Sequence, residues 1–184
     1  MYKGEQFMTV DEIAKKYVET TLAIYTCANN KYYESVWVLF YSAIDSVSWL
    51  YSEQMDINKR RVGREYKDWV NKYLLPNLDG YNCTAEELYL ARCSVLHTYS
   101  SMAKHQGNNR IIVYVYGDKE YENMISKIVN EDETIRKENF VLIHMGDLVN
   151  AYSKGMSAFF KQVEIDKKLY DRVIEKTKYY YRAI

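Results

Sequence analysis

Leu88-Tyr89-Leu90-Ala91-Arg92-Cys93-Ser94-Val95-Leu96-His97-Thr98-Tyr99-Ser100 decides how this chain of 184 residues is read. It lies in a helix-like segment from Thr84 to Met102. Thr84-Ala-Glu-Glu87 has the form of a capping box, so the helix is expected to start near Ala85. It is expected to fray near His105 to Asn109, where Gly and Asn cluster. Within it, Arg92 and His97 stand five positions apart. A guanidinium is a fixed positive fork that suits a phosphate. An imidazole both takes and gives a proton near neutral pH. Such a pair can cleave RNA without a metal: His moves the proton of a 2′-hydroxyl, and Arg stabilises the charge that builds on the phosphate oxygens. On a regular helix, however, five residues turn the chain through roughly 140°, so the two Cα atoms do not share a face. Long side chains, a distorted turn or a second subunit must bring the heads together.

Working outward, the chain reads as mainly α-helical. Thr9-Val-Asp-Glu12 opens a helix with a capping box, and Ile13, Tyr17, Thr20, Thr21 and Ile24 follow at helical spacing. After a break at Asn29-Asn30, a second helix runs from about Tyr32 to Tyr51 and is apolar on several sides, which suits a central bundle position. Asp56 to Gly63 reads as a polar loop and Arg64 to Leu74 as a third helix, ended by Pro76 and Asp79-Gly80. Beyond residue 109 the pattern changes. Ile111 to Tyr116 and Phe140 to Ile143 read as strands, each leading through Gly-Asp into a helix, with Asp118 and Asp147 as N-caps. Those helices are expected to reach about Val129 and Phe160. Strand–helix–strand order permits a parallel pair. A last helix spans residues 166–183. The expected architecture is a helical bundle core over 1–108, with a strand–helix–strand–helix extension over 109–184 packed on the same domain.

This upstream half resembles the HEPN superfamily (higher eukaryotes and prokaryotes nucleotide-binding domains). The resemblance rests on Arg92-Cys-Ser-Val-Leu-His97 and on Leu39-Phe-Tyr-Ser-Ala-Ile-Asp-Ser-Val-Ser-Trp-Leu50, and covers roughly residues 10 to 105. It implies an antiparallel helical bundle, a homodimer, and a metal-independent endoribonuclease of a toxin–antitoxin or phage-defence type. Arg92 and His97 are then the catalytic pair at a dimer groove. Asp45 orients one of them, Ser94 and Tyr99 support them, and an antitoxin protein is a further partner. The alternative on the same fold is a non-catalytic nucleic-acid- or protein-binding regulatory module. The chain departs from the family at Cys93, where many active members carry Asn, Asp or His.

Other residues refine the picture. Asp45 lies inside an apolar helix and needs a buried partner, for which Arg92 is the candidate. Ser100 and Ser101 sit where a hydroxyl reaches a phosphate or terminates the helix. Lys59-Arg60-Arg61, Arg64 and Lys67 form the densest basic cluster, and Arg60, Arg61 and Arg64 are candidate RNA contacts. Charge is balanced, with 25 basic and 25 acidic residues, which argues against broad coating of duplex DNA. The three Cys show no metal spacing, and their odd number suggests reduced thiols in the cytoplasm. Cys27 and Cys93 read as core fillers. A Cys93–His97 nucleophilic pair would need an orienting group and an oxyanion hole that the sequence does not display. His97, His105 and His144 have no metal-ligand spacing, and no Gly-rich phosphate loop is present, so neither metal nor cofactor is expected. No apolar run reaches the roughly 18 residues of a membrane span. Twenty Tyr, amphipathic at ring and tip, suit helix seams and an oligomer interface.

Overall fold

The computed structural model of the chain describes residues 8–98, 110–116 and 137–180. Helix α1 (Val10–Asn29) begins at the expected capping box: the Glu12 N–H donates to Thr9 Oγ1 and the Thr9 N–H to Glu12 Oε2. Ile13, Tyr17 and Ile24 bury its inner face. Lys31 then turns the chain at φ +61°, and the Tyr32 N–H closes onto the Cys27 carbonyl at 2.9 Å.

Helix α2 (Tyr33–Tyr51) is the central element. Val36, Trp37, Phe40, Tyr41, Ile44, Val47 and Leu50 are buried around more than one face. It has no basic residue in its last turn. Its terminal carbonyls are satisfied instead by α6 (Lys167–Tyr180): the Lys176 ammonium donates to the Trp49 and Ser52 carbonyls, and Arg172 Nη2 to the Tyr51 carbonyl at 3.1 Å.

The segment read as a loop contains a 3₁₀ turn, Ile57–Lys59, and α3 (Val62–Trp69) starts before the expected Arg64. Arg61 has no capping side chain of its own; the Glu65 carboxylate reaches back to its N–H at 3.2 Å, which supports the earlier start. The helix continues into a π turn, Val70–Leu74, and a 3₁₀ turn, Leu75–Asn77, that carries Pro76. The π turn presses its backbone on α5 (Met145–Ile165). A Cβ at Gly155 would stand 2.5 Å from the Tyr73 carbonyl oxygen, so only glycine admits this approach.

Helix α4 (Ala85–Thr98) begins at the second capping box, with the Glu87 N–H on Thr84 Oγ1 and the Thr84 N–H on Glu87 Oε2. Glu87 is buried, and Arg110 Nε donates to it at 2.7 Å, which joins α4 to the strand that follows Arg110. Strands β1 (Ile111–Val115) and β2 (Phe140–His144) pair in parallel, Ile111 opposite Phe140 and Val115 opposite His144. Their alternation splits two faces. Ile112, Tyr114, Val141 and Ile143 enter the main core, while Ile111, Val113, Phe140 and Leu142 form a second cluster. Tyr114 stacks on Trp37 of α2 with ring centroids 3.8 Å apart.

At the end of β2, the cap of α5 differs from the expected Asp147. His144 takes that role, its Nδ1 accepting the Gly146 N–H at 3.2 Å. Strand leads straight into helix, so the strand's last side chain stands at the cap, and Asp147 falls in the first turn, where Tyr81 donates to it. Helix α5 extends past the expected Phe160, and Asp166, between α5 and α6, accepts the Leu169 N–H. One continuous core draws on every helix from α1 to α6 and on both strands. No helix among the described residues is long and apolar enough to cross a membrane. The expected helix ending near Val129, its cap Asp118 and the fraying near His105 to Asn109 lie outside the described residues.

Candidate functional site

Helix α4 presents Arg92 and His97, and α2 presents Asp45 opposite them. Despite the five-residue spacing, the heads meet: Arg92 Nη1 lies 3.5 Å from His97 Nε2. The reach of the Arg side chain bridges what the backbone separates. A guanidinium only donates, so His97 Nε2 is the acceptor and its proton belongs on Nδ1. The contact is at the long limit for a hydrogen bond.

Asp45 fixes the rest of the guanidinium. Arg92 Nε donates to Asp45 Oδ2 at 2.9 Å, and Nη2 donates to the same oxygen. The pair is enclosed, with 13% of the Arg92 and 17% of the Asp45 side chain exposed. Burial alone would push the Arg92 guanidinium down, but the Asp45 carboxylate holds it above its ordinary value. Asp45 Oδ1 is buried and has no hydrogen-bond partner among the described residues. His97, by contrast, is exposed. The arrangement is an anchored cation with one N–H edge turned to a solvent-facing imidazole.

Tyr89, which the sequence reading did not single out, completes the packing. Arg92 Cζ lies 5.9 Å from its ring centroid and Lys67 Nζ 5.8 Å. The ring fits because Gly63 of α3 has no Cβ, which would stand 2.9 Å from Tyr89 Cζ. The signal was present: Tyr89 precedes Arg92 by three positions, one helical turn. Cys93 is half-buried, with its Sγ 3.9 Å from Arg92 Nη1. Ser94 is half-buried and already has a partner. Tyr99, Ser100, Ser101 and His105 lie outside the described residues.

The basic cluster divides. Arg60 turns inward: its Nε donates to Glu65 at 2.9 Å, its Nη2 donates to the Asp45 carbonyl at 3.1 Å, and its guanidinium lies 5.1 Å over the Trp49 ring. A polar chain therefore runs from Glu65 through Arg60 and Asp45 to Arg92 and His97. Arg61 and Arg64 are exposed and line a separate open cleft of about 800 Å³ that neither Arg92 nor His97 borders. Arg64 is 3.7 Å from Asp68. Among the described residues, no group of three or more His, Cys, Asp or Glu is placed to hold a metal ion. Burial pushes the Cys83 thiol up to about 12, with the Glu87 carboxylate adding to the effect. No protein-family model, curated protein or solved structure matches this chain.

Proposed function

We propose that this chain is a HEPN-like, metal-independent endoribonuclease, with Arg92 and His97 as its catalytic pair. The single observation that carries the reading is the convergence of Arg92 Nη1 on His97 Nε2 at 3.5 Å while Asp45 holds the other edge of the guanidinium. His97 takes the 2′-hydroxyl proton of RNA at the nitrogen whose lone pair faces Arg92. The freed oxygen attacks the adjacent phosphorus, the bond to the 5′-oxygen breaks, and a cyclic phosphate remains. Arg92 Nη1 stabilises the charge on the phosphate oxygens during the transfer. The departing 5′-oxygen needs a proton of its own. A homodimer supplies a second His97 across a two-fold axis, so that one imidazole accepts and the other donates. The setting that fits this activity is a cytoplasmic toxin or phage-defence protein restrained by an antitoxin.

A second reading has its own support. Two of the three guanidinium nitrogens are spent on Asp45, and the Arg92 side chain is only 13% exposed. An Arg so engaged serves equally well as a structural tie in a non-catalytic RNA- or protein-binding module. Purified protein incubated with mixed RNA in chelator separates the readings. Cleavage by the native chain, lost in His97→Ala, supports the nuclease. Intact RNA in both leaves the binding module, and cleavage that returns only with magnesium or manganese overturns the assigned chemistry.

A further inference from the structure

The cleft at the far end of the polar chain has an unbalanced charge inventory. Its walls come from the end of α2 and the residues just after it, from α3 and its N-cap Arg61, from the π turn and from α6, and its cations are Arg61, Arg64, Lys72 and Arg172. The acids facing them are largely spent. Glu65 is held by Arg60 from behind the wall and by the Arg61 N–H, and Asp68 lies against Arg64. Glu53 is the one remaining carboxylate of the lining. Against it stand three cations with no carboxylate in salt-bridge contact among the described residues; the Asp166 carboxylate feels the charge of Arg172 from farther off. Arg61 is exposed and its side chain has no partner there. Lys72 Nζ rests 5.0 Å from the ring centroids of both Tyr51 and Tyr73. Arg172 gives one N–H to the Tyr51 carbonyl, while its buried Nε has no hydrogen-bond partner among the described residues. The positive field extends behind the cleft: after burial, Arg172 is the next cause that pushes the Lys176 ammonium down to about 7.

We infer that this cleft binds a phosphate group, held by Arg61, Lys72 and Arg172 and carried either by a free nucleotide or by the backbone of RNA. Two guanidinium forks and an ammonium line it from three separate stretches of chain, and a phosphate has acceptor oxygens enough for all of them. Tyr51, on the cleft wall, offers ring surface to the base or sugar beside the phosphate. The inference does not rest on the nuclease reading, because neither Arg92 nor His97 borders the cleft.

The test is titration of the full chain, at low salt, with adenosine 5′-monophosphate, a short single-stranded RNA, and adenosine as the probe without phosphate. The RNA arm uses His97→Ala protein so that the probe stays intact. At least one phosphate-bearing probe is expected to bind, and Arg61→Glu with Lys72→Glu to weaken it by about tenfold or more. Binding of RNA alone identifies backbone phosphate as the source, and its salt slope should fall by about 1.4, roughly 0.7 for each cation reversed. Binding of the mononucleotide identifies a free nucleotide. Both changed positions are exposed; should the double variant fail to fold, either single reversal must still weaken binding. The proposal is overturned if neither phosphate probe binds, if adenosine binds as well as they do, or if the reversed cleft binds them unchanged.

Discussion

Lys31 stands in the left-handed region at φ +61°, where a side chain costs about 1–2 kcal/mol. The position exists because the α1 exit bonds, Lys31 N–H to Ala28 and Tyr32 N–H to Cys27, need that turn. Lys31→Gly removes the strain, and the added freedom of the unfolded chain offsets part of the gain. A net stabilisation of about 1 kcal/mol is expected, which raises Tm by about 2–4 °C in calorimetry; an unchanged or lower Tm would contradict the argument. At the site, the two motif residues should separate cleanly. His97 is exposed, so His97→Ala should leave stability within about 0.5 kcal/mol, while the proposed RNA cleavage, where the native chain performs it, falls by about 100- to 10,000-fold. Arg92→Lys keeps the charge but not the fork on Asp45, so it should cost about 1–3 kcal/mol in urea unfolding as well as the activity. Much of this site was legible in the sequence. An Asp in an apolar helix demands a partner, and the chain supplied one Arg in a motif that needs orienting. The fate of Arg60 was not legible, because a run of cations looks the same whether it faces solvent or turns back onto Glu65 and Asp45. Arg172 was hidden for another reason: its neighbours in the cleft come from distant parts of the chain.

The elements that local chemistry specifies were the readable ones. Helices α1 and α4 start where Thr and Glu complete capping boxes, and β1 and β2 lie where β-branched and aromatic residues run together. The π turn at Val70–Leu74 left no such trace, because the glycine its backbone packs on sits far along the chain, on α5. In an ordinary helix interior, Gly to Ala is stabilising by up to about 1 kcal/mol. At Gly155 the new methyl would meet the Tyr73 carbonyl oxygen at 2.5 Å and its carbon at 2.9 Å. Backbone atoms do not swing aside as the end of a flexible side chain does. Overpacking therefore outweighs propensity, and Gly155→Ala should destabilise by about 1–3 kcal/mol, seen as a lower urea midpoint at unchanged slope. A rise in midpoint would mean that the π turn relaxes away from α5 at little cost. The α5 cap teaches the same lesson from the other side. Asp147 carries the stronger capping propensity, yet His144 holds the position because β2 delivers it there.

Across the whole molecule, α6 is joined to α2 by a buried ammonium, and this gives stability a distinct pH profile. Lys176 is 1% exposed and donates to carbonyls at the end of α2. Burial, with the Arg172 and Arg60 charges adding to it and Glu65 opposing, pushes it down from an ordinary 10.5 to about 7. Between those values the unfolded chain binds the proton that the folded chain has released, so stability rises with pH. One proton sets a ceiling of about 1.4 kcal/mol per pH unit. Two other sets of groups end the rise. Cys83, pushed from 9.0 to about 12 by burial, stabilises the fold only until unfolded thiols ionise. Tyr41, Tyr66 and Tyr114, raised well above 10.0 by burial, act the same way once unfolded phenols ionise. The urea midpoint should therefore climb from about pH 7 to about pH 9, level off, and fall beyond about pH 10. Lys176→Met should flatten the climb and leave the alkaline fall in place, since the thiol and the phenols are untouched. A native chain whose midpoint is flat from neutral pH to pH 9 would show that Lys176 keeps its proton, held by its carbonyl acceptors and by the Trp49 ring 4.0 Å beneath it.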